Sequence, residues 1–411
     1  MEKIINEILA LSQGCDCGNN HVQIPIERIV VDNGALGEAV YYVKEKSYKH
    51  AVLVADENTF NVAGKRLALL FKEAKIDYTL CIISPDENND VVADEASLVQ
   101  LLVETPREAD VIIAVGSGTI HDIARFCGSK TGIPFMSIPT APSVDGFTSM
   151  GAPLIVRGVK KTFQTASPIA VFADLAILTH APKKMVAAGF GDMIAKCTSL
   201  VDWKFGQLVG GEPYCPLTAK ITKEALDSCI DNVDLIAVGN EEGIRVLIEA
   251  LIKSGLAMLL FGQSHPASGG EHHLSHFWEM EFLRQKKSQV LHGAKVGVST
   301  PLLANLYRTK CLSILEGNLN EMDQIELISN LEVITKIKEN MAEIIAIIKI
   351  LPDSLQLREL VRKVGGATMP QQLGIDDELV NRSLHEAHHL RDRFTLLKFL
   401  NECVGSERSI S

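Results

Sequence analysis

The segment SGGEHHLSHFWEM (268–280) holds three of the chain's 12 histidines, His272, His273 and His276. In a helix, His272 and His276 share one face at i,i+4, while His273 points about 100° away. His273 is therefore expected to be structural, hydrogen-bonded in the helical part or at its surface. Further along, VLHGAKVG brings His292, and upstream AAGFGDMIAKCTSLVDW (187–203) brings Asp192 with Lys196 four residues on. One carboxylate and two imidazoles from three separate segments can hold a divalent metal and leave positions open for water or substrate. Spacing alone leaves simpler readings standing: histidines at i,i+4 also form satisfied polar clusters, and Asp192 with Lys196 is an ordinary i,i+4 ion pair. Asp192 is expected in or near the first turn of its helix, where a carboxylate suits the helix dipole.

VIIAVGSGTIHDIARF (111–126) reads as an apolar strand, a Gly-Ser-Gly turn and a helix opening at Thr119. Glycines let the backbone approach a ligand closely, and the free N–H groups of a helix start attract a pyrophosphate. The third glycine of the dinucleotide fingerprint is missing. Asp56, ending the strand VLVAD, can accept hydrogen bonds from an adenosine ribose or simply cap the next helix. It stands ahead of the glycine turn rather than after it, which departs from the Rossmann arrangement. SIPTAPSVDGFTSMGAP (137–153) is a long polar turn whose one charge is Asp145. Loops at the carboxyl ends of parallel strands are where such sheets hold ligands. Cys15 and Cys17 form a C-x-C pair with no second pair nearby, too little by itself for a metal site.

The elements that must position these residues fall into two textures. Up to about residue 180, the short apolar runs AVLVAD (51–56), YTLCII (78–83), VIIAVG (111–116) and PFMSIP (134–139) alternate with amphipathic stretches, the βαβα order of an open parallel sheet. From about 183 onward, long helical patterns dominate, and RVLIEALIKSGLAMLLFG (245–262) is apolar on most faces, as a central buried helix is. The expected fold is an α/β Rossmann-like domain over 1–182 and an all-helical domain over 183–411, with the active site in the cleft between them. Net charge of −11 and no long basic run argue against a nucleic-acid partner. A small anion bound by a few local cations remains compatible. No run of about 18 apolar residues suggests a membrane span. Nine scattered cysteines, and an N-terminus without the order of a signal peptide, suit a reduced cytoplasmic chain.

VGSGTIHDIARF, PTAPSVDGFTS, GFGDMIAK, HPASGGEHHLSH and LHGAKVG lie in order between residues 115 and 297. Together with HHLRDRFTLL (388–397), they resemble the sn-glycerol-1-phosphate dehydrogenases, nearest the bacterial, arabinose-operon-associated branch. That family sits in the superfamily of iron-dependent alcohol dehydrogenases, glycerol dehydrogenases and dehydroquinate synthases. The resemblance implies that Asp192, His272 and His292 bind one divalent metal per subunit, nickel or zinc, with His276 near substrate but not a ligand. It implies that Gly116, Ser117, Gly118 and Thr119 face the pyrophosphate of NAD(H) or NADP(H), and Asp56 its ribose. The loop from Thr140 through Ser143 to Ser149 would face the nicotinamide and substrate, with Asp145 near the substrate hydroxyls. Superfamily alcohol dehydrogenases carry a histidine four residues after the metal carboxylate; here that position is Lys196, which joins His276 and Asp145 as a catalytic candidate. Lys196, Arg391 and Arg393 are the candidates for a substrate phosphate.

The implied reaction is reversible reduction of dihydroxyacetone phosphate to sn-glycerol 1-phosphate, by a homodimer. The rivals are a polyol dehydrogenase on an unphosphorylated substrate, a dehydroquinate-synthase-like lyase, and a nucleotide-binding protein without catalysis.

Overall fold

The structure is a computed structural model that describes residues 2–317 and 331–403. Six strands form one parallel sheet: β1 (Arg28–Asp32), β2 (His50–Ala55), β3 (Asp77–Ile82), β4 (Val111–Gly116), β5 (Phe135–Pro139) and β8 (Ala170–Asp174). Their order is β1-β8-β5-β4-β2-β3. β4, β5 and β8 are buried along their whole length, which is why their sequences are apolar but for Ser137 in β5 and Asp174 at the end of β8. Helices cover both faces. Leu36, Leu67 and Phe71 pack on one, and Leu101, Ile120 and Ile123 on the other.

The apolar-run criterion found β2 to β5 and passed over four strands. β1 is an edge strand with alternating burial, whereas β8 is a buried run of the same kind as those found and was passed over. The others, β6 (Gly151–Val156) and β7 (Val159–Gln164), make an antiparallel hairpin outside the main sheet. Its two-residue turn, Arg157-Gly158, has φ of 54° and 72°. Two successive left-handed residues match the right-handed twist of a tight hairpin.

After β8 the described residues are helical. The apolar helix Glu241–Phe261 is central as expected, with Leu247, Leu251, Leu256 and Leu259 at 1% exposure or less. Its core is continuous with one end of the sheet, because Ile29, Val31, Val171 and Ala173 join the same apolar cluster. No described helix is long and apolar enough to cross a membrane.

Candidate active site

Two helices, Lys183–Ile194 and His292–Leu306, cross backbone to backbone. A Cβ on Gly191 would run into the carbonyl oxygen of Gly293, and one on Gly293 into that of Ala188. Glycine at both positions therefore lets Asp192 and His292 converge. The third helix, Gly270–Arg284, supplies His272 and His276. Asp192, His272 and His292 each present one ligand atom, all within 4.8 Å of one another. Asp192 lies in the last turn of its helix, not the first, so the helix dipole opposes its charge rather than favouring it. Short-range patterning missed this because the helix breaks at Ala195 and restarts at Lys196.

Side chains, not the dipole, hold that carboxylate ionised. Burial works against its charge, but the Lys196 ammonium, then His272 and His292, keep Asp192 well below the ordinary carboxylate range. Lys196 Nζ donates to Asp145 Oδ2 at 2.7 Å, Asp192 Oδ1 at 3.3 Å and the Ala267 carbonyl at 3.0 Å. Its three protons are thus committed, and it is fully buried behind the cleft rather than lining it. Burial would discharge it, yet the two carboxylates hold its pKa above the usual lysine value. The Asp145 backbone N–H donates to Asp192 Oδ2 at 2.9 Å, tying the polar turn 140–149 to the helical wall.

The donor set suits a cation. His272 Nδ1 faces Glu271 Oε1 at 2.7 Å. A carboxylate only accepts, so the ring donates there, and its Nε2 stands 3.7 Å from Asp192 Oδ1, where a neutral ring would offer its lone pair to a cation. Glu271 is itself held by Thr198 Oγ1 at 2.7 Å and the Gly269 N–H at 2.6 Å, as outer partners of metal-binding histidines commonly are. His276 stands outside the ligand cluster, its ring centroid 5.7 Å from that of His292. Its Nδ1 accepts from Arg391 at 3.3 Å, which leaves the proton on Nε2. Burial, then Lys160 and Arg391, hold it neutral, well below the usual histidine pKa. His273 is fully buried and neither ring nitrogen has a hydrogen-bond partner, contrary to the hydrogen-bonded role expected for it.

These groups open on a cleft of about 370 Å³ between sheet and helices. Ser117, Gly118, Thr119, Ser143, Asp145 and Ser149 line its sheet side, the first three at the start of the helix Gly118–Thr131. Gly116 and Thr140 sit just beneath, joined by a 2.9 Å backbone hydrogen bond. Asp56 does not line the cleft and caps the next turn, accepting from Thr59 N at 2.8 Å. Arg391 lines the helical side, but Arg393 turns away to Glu212 Oε2 at 3.0 Å. Sequence reasoning passed over three further lining residues, Lys160, Glu279 and Lys295. Lys160 and Lys295 both bind Glu279, at 2.8 and 2.9 Å. Lys295 stood within the quoted LHGAKVG, and Glu279 lies one turn after His276; Lys160 arrives on the hairpin, for which local sequence gave no signal.

Residues 30–182 match the family model of iron-containing alcohol dehydrogenases. The chain is 53% identical over 411 residues to a glycerol-1-phosphate dehydrogenase of Geobacillus stearothermophilus, covering 99% of this chain and all of the relative. It is 52% identical to the enzyme of that name from Geobacillus thermodenitrificans, with the same coverage. Among solved structures, maleylacetate reductase from Agrobacterium tumefaciens shares the fold at a TM-score of 0.64 and 12% identity, over 90% of this chain and 91% of that one. With relatives this similar along nearly its whole length, the chain belongs to the glycerol-1-phosphate dehydrogenase (NAD(P)+) family.

Proposed function

We propose that this protein is a metal-dependent oxidoreductase that reversibly reduces dihydroxyacetone phosphate to sn-glycerol 1-phosphate with NADH or NADPH. The observation that carries the phosphorylated substrate is Arg391. Its guanidinium reaches Ser264, Ser268, Thr162 and His276 at 3.3–3.5 Å, all neutral acceptors at longer than usual hydrogen-bond distance. Among the described residues it forms no ion pair, whereas both cleft lysines share Glu279. Burial and the neighbouring Arg393 lower its pKa to about 10, so it stays charged at neutral pH. A loosely held cation ringed by hydroxyls favours a phosphate over the uncharged end of glycerol.

Asp192, His272 and His292 would hold one divalent cation, nickel or zinc, which supplies Lewis acidity toward a ketone oxygen while NAD(P)H supplies the hydride. Asp145 uses Oδ2 for Lys196 and for Ser254 at 2.8 Å, leaving Oδ1 for a substrate hydroxyl. His276 holds a proton at Nε2 and relays it to the product oxygen, directly or through water, as its Nδ1 takes up a replacement proton drawn from solvent. Lys196 acts at one remove, holding Asp192 ionised and offsetting the burial and the Asp192 charge that push the Asp145 pKa up. Thr119, Ser117 and Gly118 offer the N-terminus of their helix to the cofactor pyrophosphate, with Gly116 and Thr140 shaping the turn below and Ser143 and Ser149 beside the nicotinamide. The proposal includes two domains divided at residue 182, a homodimer, and a cytoplasmic location. All nine cysteines are free, which suits a reducing compartment.

The test is a net hydride assay on metal-loaded protein with dihydroxyacetone phosphate and with plain dihydroxyacetone. NADH oxidation is expected with the phosphorylated ketone at far higher kcat/KM, yielding the sn-1 product on chiral analysis. Equal use of the two ketones would transfer the reading to a polyol dehydrogenase.

A further inference from the structure

The C-x-C pair near the N-terminus gains two partners in the fold. Cys15, Cys17, Asn19 and His21 are half-buried while Asp16, Gly18 and Asn20 are exposed, so alternate residues face inward. They face Cys215, which is 200 residues from Cys15 in the chain and fully buried. Gly18, at φ 75°, supplies the left-handed turn that brings Cys17 and His21 to the same point.

The four donor atoms lie within 4.8 Å of one another. Cys15 Sγ is 3.9 Å from Cys215 Sγ, Cys17 Sγ is 3.5 Å from His21 Nε2, and His21 Nε2 is 3.3 Å from Cys215 Sγ. Tetrahedral zinc, with bonds of about 2.3 Å to sulfur and 2.0–2.1 Å to nitrogen, places sulfurs about 3.8 Å apart and sulfur from nitrogen about 3.5 Å apart. Asn19 Nδ2 donates to Cys17 Sγ at 3.3 Å, as an outer partner of a bound thiolate does.

We propose that Cys15, Cys17, His21 and Cys215 bind one structural zinc ion, a second metal site separate from the cleft. None of the four lines the cleft, and four protein ligands close the coordination shell, leaving no position for substrate. Zinc fits better than harder divalent ions because three thiolates and an imidazole are borderline-soft donors. Binding releases the thiol protons to solvent and changes no oxidation state. The ion pins the N-terminal segment to the turn 211–215, where Asn19 already reaches the Tyr214 carbonyl at 2.8 Å. That turn carries Glu212, which holds Arg393 and the Phe394 N–H, the latter at 2.6 Å. The site thereby braces the loop that presents Arg391 to the cleft.

The experiment is metal analysis of protein purified without chelator, with Asp192→Asn, Cys17→Ser and Cys215→Ser beside it. The parent should carry two metal equivalents per chain and each variant one. The metal retained by Asp192→Asn, exchanged for cobalt, should show thiolate-to-cobalt charge-transfer absorption; that retained by Cys17→Ser should not. Should the cysteine variants fail to fold, the parent serves alone: titrating its native thiols with a mercurial should release one zinc, read with a colorimetric chelator. No release, a parent whose only metal is lost in Asp192→Asn, or a Cys15–Cys215 disulfide found by mass spectrometry in protein kept under reductant would overturn the proposal. Because the readout is stoichiometry and spectrum, it is independent of which substrate the cleft takes.

Discussion

The sheet-side wall of the cleft offers a ligand largely backbone and hydroxyls, while the helical wall offers ionisable side chains. On the sheet side stand Ser117, Gly118, Thr119, Ser143 and Ser149, with Asp145 the one ionisable group of its turn. On the helical side stand Asp192, His272, His276, His292, Lys295 and Arg391. A wall built of N–H groups and a helix start binds a constant feature, the cofactor phosphates, and tolerates side-chain change. In the proposed reaction a wall of converging side chains would do the chemistry, each member with its own job. The helical wall should therefore fail in turnover and metal content, the sheet wall in cofactor preference.

The largest effect tests whether the histidines of the helical wall differ as the geometry says. His272→Ala and His292→Ala should lose the cleft metal and reduce turnover by about 10³-fold or more, the loss of several kcal/mol of charge stabilisation. His276→Ala should keep that metal and still lose about 10²–10⁴-fold in kcat, the usual contribution of a proton-transferring group. Metal stoichiometry beside kcat separates the two classes. If His276→Ala sheds metal in step with His272→Ala, the ligand set must be redrawn.

The two walls also differed in how far their residues could be read in sequence. Glycine turn, polar loop and strands β2 to β5 are local patterns, each contained in a few consecutive residues. The cluster of Asp192, His272 and His292 was legible as three motifs, and the i,i+4 phase of His272 and His276 followed from helix geometry alone. Contacts between distant segments were not legible. Nothing local says that Lys196 Nζ meets Asp145 Oδ2, or that Arg393 turns to Glu212 while Arg391 faces the cleft. The Asp192 helix was misread at its end because one residue, Ala195, separates two helices with continuous apolar patterning. Cys15 and Cys17 looked insufficient because their partner Cys215 lies in another element altogether.

A smaller effect, chiefly on binding, should come from Arg391. Arg391→Ala removes the loosely held guanidinium without touching the metal ligands. We expect KM for dihydroxyacetone phosphate to rise by about 30-fold or more, the cost of about 2 kcal/mol for a lost charged partner. The cleft metal should stay, and the slow rate on plain dihydroxyacetone should fall less than the rate on the phosphorylated ketone, by the part of the effect that runs through His276. Arg393→Ala, by contrast, unties Glu212 from outside the cleft and should act chiefly on thermal stability. An unchanged KM in Arg391→Ala would place the phosphate on Lys160 and Lys295, where Glu279 would have to yield.

The smallest effect belongs to the sheet side and to a residue that the cleft lining does not include. β2 pairs β4 with Ala51 opposite Val111 and Val54 opposite Ala114. Two residues further in that register, Asp56 comes level with Gly116, at the turn proposed for the pyrophosphate. From there a carboxylate can accept from a ribose 2′-hydroxyl and repel a 2′-phosphate. Its present bond is a helix cap to Thr59 N, a job that serine also does well, so Asp56→Ser should fold as the parent does. Removing one charge at contact distance in a solvated position is worth about 1 kcal/mol, so the ratio of kcat/KM for NADH over NADPH should fall by about fivefold. Turnover at saturating NADH and cleft metal content should not change. Parent enzyme that already uses both cofactors equally would show that Asp56 is a cap and nothing more.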